Sequence, residues 1–395
     1  MHWRTLPRGV VALGLVSLLM DTSSELVHSL LPIFLATGLG ASMAAIGVIE
    51  GVAEAAASFM RMFAGALSDF WRRRKPLVVL GYGLALLAKP LFPLATSAAW
   101  VFVGRFADRV GKGIRGAPRD ALLADLAPPG ARGAAFGLRQ SLDSAGAFAG
   151  PLLAVGLMAW LAGDIPSALW FAVIPAFLSV VVLVTMVREP PRPDEQGRGR
   201  PPWRQSEVRR LSRRFWLVVL LGVLFTLARF SEAFLILRAH DVGLALAWVP
   251  LVLVVMNLMF AAVAWPAGAA SDRVGRRRLL VGGLAALIAA DLAFAGADTI
   301  AAVFAGAALW GLHLGLTQGL LSTLVADTAP EDLRGSAFGL FNFFGGLAVL
   351  AASVIAGLLW ARFGAAAAFY AGAAFAAATA AGLLGWRPPR PVPAR

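Results

Sequence analysis

The stretch Ala124-Asp-Leu-Ala-Pro-Pro-Gly-Ala-Arg-Gly-Ala-Ala-Phe-Gly-Leu-Arg-Gln140 returns 202 residues later as Ala326-Asp-Thr-Ala-Pro-Glu-Asp-Leu-Arg-Gly-Ser-Ala-Phe-Gly-Leu-Phe-Asn342, with ten of seventeen positions identical. Gly65-Ala-Leu-Ser-Asp69 likewise returns as Gly268-Ala-Ala-Ser-Asp272 at an offset of 203, and an arginine cluster follows each copy. A fixed offset near half of a 395-residue chain marks an internal duplication. Composition says what was duplicated. The chain is 59% hydrophobic and 14% charged, holds 42 glycines and has a mean hydropathy of +0.76. A soluble domain runs at about 45–50% apolar, glycine included, and about 25% charged. A soluble enzyme, a disordered chain and a fibre are therefore excluded. One membrane span takes about 20 apolar residues, so the chain has material for about a dozen.

Twelve apolar spans are expected near residues 10–36, 42–67, 77–96, 98–123, 134–161, 168–187, 215–238, 244–269, 279–297, 300–325, 335–361 and 364–386. The first follows Arg4 and Arg8 as a signal peptide would, but it runs on through Phe34 without a small-residue cleavage site and reads as an uncleaved helix. The expected domains are an N-terminal six-helix bundle at 1–187, a basic and proline-rich linker at 188–214, and a C-terminal six-helix bundle at 215–395 with a short tail. Lys and Arg concentrate in alternate loops: Arg72 to Lys75, Arg132, nine arginines between Arg188 and Arg214, Arg273, and Arg276 to Arg278. This asymmetry predicts a multi-pass protein of a bacterial inner membrane with both termini and the linker in the cytoplasm. It also accounts for the net charge of +13 without nucleic acid. Facing anionic headgroups is the plainer role for these arginines.

The repeated loop carries chemistry of its own. A carboxylate at a helix end, facing arginines across a tight turn, forms a charge cluster that can hold one arrangement of helices and release in another. Gly65, Asp69, Arg73 and Arg74 are the expected latch in the first copy, with Gly268, Asp272, Arg273, Arg276 and Arg277 in the second. On these residues the chain resembles the major facilitator superfamily, whose signature loop runs roughly Gly-x-x-x-Asp-Arg-x-Gly-Arg-Arg. The second copy matches it closely. The first has Phe70 and Arg72 where the pattern has Arg and Gly. The resemblance implies an all-α fold of twelve transmembrane helices in two pseudo-symmetric six-helix bundles. It also implies secondary active transport by alternating access. Gly146, Gly150, Pro151 and Gly156 in the fifth span resemble the glycine-proline motif of the family's antiporters, which favours export; ordinary close packing of small residues is the other reading. Met20 to Glu25, Asp108 to Asp120 and Arg229 to Glu232 resemble a bacterial branch that includes efflux and nickel-resistance permeases. The histidine-rich tail of that branch is missing. With no cysteine and four histidines in the whole chain, no metal site is expected, and no cofactor.

Charges at membrane depth cost about 2.5–3.5 kcal/mol each on insertion scales, so they face a cavity or one another. Asp21 and Glu25, four residues apart, share a face of the first span, and Asp21 lies about 17 Å from its inner end. Glu50 and Glu54 repeat that spacing in the second span, with Glu54 about 18 Å deep. Carboxylates crowded at one depth are poised to carry protons, so Asp21, Glu25, Glu50 and Glu54 are the proton-coupling candidates. In the fourth span Arg105, Asp108, Arg109, Lys112, Arg115 and Arg119 wind into one stripe that cannot face lipid, and Pro118 is expected to end the regular helix. The first five, with His28, Gln140, Asp143, Arg229, Glu232, Asn257, His313, Gln318 and Asn342, are candidates to bind solute or balance charge. Structural neutralisation inside the N-terminal half is the competing role. Lys89 stands alone without an evident partner.

The expectation is a proton-coupled exporter of a small solute, working as a monomer in the lipid bilayer. A proton-coupled importer of an organic anion is the alternative, and divalent-metal export is less favoured. A membrane-embedded enzyme would need a nucleophile with a base or a metal cluster, and Ser23, Ser24 and His28 have no such company. A receptor would need a sizeable soluble domain.

Overall fold

A computed structural model of the chain describes residues 6–71, 73–128, 130–190, 211–317, 320–329 and 334–385. No strand occurs among them. The helices are α1 (Arg8–Ile33, prolonged by a π turn at Phe34–Gly38), α2 (Met43–Trp71), α3 (Lys75–Ala88, ending in a 3-10 turn at Lys89–Leu91), α4 (Ala98–Leu126) and α5 (Arg132–Trp160). The sixth traverse is split into α6a (Ile165–Trp170) and α6b (Val173–Met186), and the seventh into α7a (Arg213–Leu227) and α7b (Ala233–Asp241). After them come α8 (Leu251–Val274), α9 (Arg276–Ala295), α10a (Ile300–Thr317), α10b (Leu320–Thr328), α11 (Arg334–Phe363) and α12 (Ala365–Gly385). Among the described residues, nine segments are long and apolar enough to cross a bilayer. The three other traverses fall short for visible reasons. α3 has 14 residues, α4 is loaded with charge, and the seventh traverse is interrupted.

Caps set several helix starts. Ser97, Asp164 and Ser212 accept from the backbone N–H of Trp100, Ser167 and Phe215, each satisfying a donor that the first turn leaves free. α3 is capped from a distance: the Glu189 carboxylate accepts from the backbone N–H of Arg74 and Lys75 at 2.6 and 3.1 Å. The start of the expected linker is thereby docked, whereas 191–210 lie outside the described residues. Pro118 does not end its helix, correcting the sequence expectation: α4 continues to Leu126 with Pro118 buried inside it. A proline removes one helical hydrogen bond, and close packing on α2 supports the helix through that loss. An added Cβ on Gly113 would lie 2.6 Å from the Ala57 carbonyl.

Packing repeats with the sequence. α1 packs on α5 and α6b as α7a packs on α11 and α12. The pairs α2–α4, α3–α4 and α3–α6b are matched by α8–α10a, α9–α10a and α9–α12. The two bundles meet where α2 lies on α11, α5 on α8, and α1 on α7b. Leu87, Trp160 and Phe363, each more than 70% exposed, belong to the apolar outer belt that lipid covers.

The α2–α11 contact is closest where α2 begins and α11 ends. An added Cβ on Gly51 would sit 2.9 Å from the Leu350 carbonyl, Gly47 meets the Ser353 carbonyl more closely still, and Gly357 meets Met43. The bundles are thus sealed backbone to backbone on the face where α2 starts, here called the far face. The opposite face, where α2 and α4 end and α3 and α5 begin, is here called the loop face.

Candidate solute pathway

Two cavities lie between the bundles. The first, about 660 Å³, is lined from one bundle by Glu25, His28, Glu54, Arg61, Arg109 and Lys112. From the other bundle come Arg229, Glu232, Asn257 and Asn342, with Phe230, Trp310 and Phe341 as an aromatic wall. The second, about 500 Å³, reaches toward the loop face past Asp21, Arg115, Arg119, Asp120, Arg139, Gln140 and Asp143. Glu25, Arg61, Lys112, Ala147 and Asn257 line both, so the cavities adjoin. With the far face sealed, the pathway is arranged as a vestibule on the loop-face side ending at a polar chamber.

Most charges of the α4 stripe are consumed in pairs. Arg105 donates to Glu50 at 2.7 Å, both 1% exposed, and stands 3.7 Å from Glu54. Arg109 pairs with Glu54 at 3.0 Å. Asp108 pairs at 2.8 Å with Lys89, whose ammonium also donates to Ser24 at 3.1 Å. Lys89, alone in the sequence, is therefore half of a buried ion pair joining α1, α3 and α4. The Arg115 guanidinium stacks over the Tyr82 ring at 4.6 Å. Nearer the loop face, Arg139 pairs with Asp143 at 2.7 Å, and Arg119 donates to Ser17 at 3.1 Å.

A smaller set is left over at the chamber. Glu25 touches His28 at 3.2 Å. Lys112, Arg229 and Glu232 line the first cavity and make no ion pair within 4.0 Å among the described residues. Arg229 and Glu232 stand in the break between α7a and α7b, where the chain is not committed to helical pairing. Asn257 donates to the Ala147 carbonyl across the bundle interface at 3.1 Å.

Gly146 and Gly150 bring α5 against the segment of α1 that bears the carboxylates. An added Cβ would lie 2.6 Å from the Leu18 carbonyl at Gly146, and 2.7 Å from the Thr22 carbonyl and 2.8 Å from Glu25 Cβ at Gly150. Pro151 is buried beside them, whereas Gly156 faces open space. In the repeated loop, Arg74 donates to the Ala121 carbonyl and to Asp125 at 2.6 Å, tying the loop to the end of α4. Arg277 in the second copy donates to the Leu384 carbonyl. Gly65 would place a Cβ 3.3 Å from Ala117, and Arg73 is exposed. Arg72, Gln318 and the side chains of Asp69, Asp272, Arg273 and Arg276 lie outside the described residues.

Among the expected site residues, Glu50, Arg105 and Asp108 are buried behind the cavity wall. His313 is packed away, its ring against Phe225 and its Nδ1 2.8 Å from the Gly283 carbonyl. Sequence reasoning missed Arg61, Ser58, Ser231 and the aromatic wall. A helical signal existed for two of these: Glu54, Ser58 and Arg61 follow steps of four and three on one face.

A duplicated helical bundle around a polar chamber sealed from one face is the build of a secondary transporter, not an enzyme. The chain belongs to the Major Facilitator Superfamily, whose family profile matches residues 13–348 and 233–395. It is 33% identical over 364 residues to an uncharacterized MFS-type transporter of Methanocaldococcus jannaschii, covering 90% of this chain and 89% of that one. It is 32% identical over 370 residues to an uncharacterized protein of Mycobacterium tuberculosis, covering 89% and 87%. In fold it is similar to the nucleoside transporter NupG (TM-score 0.79, 12% identity, 95% and 98% covered). A D-xylose-proton symporter is also similar (TM-score 0.72, 15% identity, 96% and 97% covered).

Proposed function

We propose that this transporter is a proton-coupled exporter of a small solute in a bacterial inner membrane, with both termini cytoplasmic. Residues 1–187 and 215–395 are the two bundles that rock about the chamber, and 188–214 is their cytoplasmic linker. The observation that carries the reading is the placement of Glu25 and Glu54 on the chamber wall, within a shell of cations, at the plane where the bundles meet. A proton on either carboxylate changes the charge of the interface that must open and close. Asp21, facing the vestibule, is the relay toward the loop face. The packing of Gly146 and Gly150 against the carboxylate-bearing stretch of α1 supports export. It gives the antiporter-like motif a physical task, fixing those carboxylates against the helix that carries Pro151. The latch pairs of Arg74 and Arg277 brace the loop face.

A growth screen of a deletion strain against antibiotics, metals and organic acids supplies the solute. Flux is then measured in proteoliposomes with and without a pH step. Glu54→Gln and Asp21→Asn are expected to transport without pH dependence while remaining folded. Unchanged pH dependence in both removes the proton-coupling assignment.

A second reading, proton-coupled import of an organic anion, is favoured by Lys112 and Arg229 on facing bundles, which make no ion pair among the described residues. The direction of flux in inverted vesicles decides between the two.

A further inference from the structure

Among the described residues, two side chains make hydrogen bonds from one bundle to the other. Asn257 is one. The other is Ser231, whose hydroxyl donates to Glu50 Oε2 at 3.3 Å. Ser231 stands in the break between α7a and α7b and lines the first cavity. Glu50 stands on α2 between Gly47 and Gly51, the two glycines on which α11 closes. The oxygen that receives Ser231 also accepts from Arg105, and the other oxygen, Oε1, is buried without a partner.

We infer that Glu50 is a positioning residue of the far-face gate: clamped by Arg105, it fastens the break of the seventh traverse to α2 beside the glycine seam, and losing that hold opens the gate. The geometry separates it from the carboxylates that meet solute. Glu50 is 1% exposed and lines neither cavity, whereas the Glu54 side chain is 34% exposed and does. The two communicate through Arg105, which stands 2.7 Å from one and 3.7 Å from the other. A guanidinium shared between two carboxylates follows the charge of both. Neutralising Glu54 leaves Arg105 to Glu50 alone, which makes Glu50 a poorer acceptor for the Ser231 hydroxyl and loosens the fastening. A hydroxyl held by an ionised group at the edge of the cavity is worth enough to shift a two-state equilibrium about tenfold when removed.

The inference rests in part on Glu54 being the coupling carboxylate, and the test separates the two. The chain has no cysteine, so Ser42→Cys with Ala361→Cys, one turn beyond the Met43–Gly357 contact, takes spin labels without background. Distances across the far face are read by double electron–electron resonance in nanodiscs. Ser231→Ala and Glu50→Gln are each expected to raise the ratio of long to short distances about tenfold over the labelled parent. Glu54→Gln is expected to move it in the same direction. Ser29→Ala, whose hydroxyl bonds only to Leu26 in its own helix, is expected to leave it unchanged. Ser231→Ala keeps the informative result if Glu50→Gln, which strands Arg105, fails to fold. Parental distances in Ser231→Ala, with flux in Glu54→Gln stripped of pH dependence, overturn the gate inference and keep the coupling reading. An open far face in Ser231→Ala beside unaltered pH dependence in Glu54→Gln keeps the gate inference alone.

Discussion

Lys89 and Asp108 offer the sharpest measure of how this bundle carries charge. The ammonium and carboxylate are 0% and 3% exposed and 2.8 Å apart, with Ser24 as the ammonium's one further acceptor among the described residues. Removing one partner of such a pair costs about 3–5 kcal/mol, because the survivor stays buried and uncompensated. Two features set the position within that range. In Lys89→Met, Asp108 keeps Arg109 at 3.9 Å, but Arg109 is already engaged with Glu54 at 3.0 Å, so relief is slight and the cost is about 3 kcal/mol. In Asp108→Leu, the ammonium retains only the Ser24 hydroxyl among the described residues, and the cost rises toward about 4 kcal/mol. The double variant Lys89→Met with Asp108→Leu removes both charges and is expected to lie within about 2 kcal/mol of the parent, a coupling of several kcal/mol. Unfolding in graded mixed micelles of sodium dodecyl sulfate, followed by far-ultraviolet circular dichroism, measures all three. Single variants within about 0.5 kcal/mol of the parent would refute the reasoning. So would a double variant as unstable as the sum of the two.

Other expectations follow from the same contacts. Gly150→Ala drives a Cβ to within 2.8 Å of Leu26 N on the α1 backbone, which no rotamer relieves, and is expected to cost about 1–3 kcal/mol in thermal unfolding. Gly156→Ala meets nothing within 4 Å and is expected to fall within about 0.5 kcal/mol of the parent. If the transported solute is anionic, Lys112→Gln and Arg229→Gln each raise its KM about tenfold, while a neutral analogue is unaffected. Equal effects on both solutes would reassign those cations to structure.

Much of the fold could be read from the chain because a bilayer leaves few options. Twelve apolar stretches and a loop quoted twice suffice to specify a duplicated bundle, and the observed helix pairings repeat accordingly. The breaks were not readable. Ala228-Arg-Phe-Ser-Glu232 contains neither glycine nor proline, and α7b is fixed by tertiary contacts such as Arg238, which donates to the carbonyls of Phe294 and Ala297. Pro118 sent the opposite signal, a breaker by local rule that tertiary packing overrules. Periodicity assembled the α4 stripe correctly but could not say which of its charges were spoken for. That depends on partners in other helices: Lys89 lies 19 residues before Asp108 and Glu50 lies 55 before Arg105, spacings with no sequence signature. His313 illustrates the limit from the other side. It looked like a polar group in search of a solute, and a backbone carbonyl already satisfies its Nδ1.

Sorting the intramembrane charges by partner divides structure from function more sharply than depth does. Arg105, Asp108 and Lys89 share depth with Glu54 and Lys112, yet the first three are locked in dry pairs that no solute reaches. A charge that is fully paired and unexposed cannot recognise a passing ligand without first breaking its own bonds. A charge that has no ion partner and lines a cavity has no protein bond to break, so a solute bearing the opposite sign pays only for the water it displaces. Lys112 and Arg229 meet that condition from opposite bundles. A solute that bridges them binds only where the bundles are close enough for both to reach it. Its binding energy then depends on the conformation of the carrier, and alternating access requires that dependence.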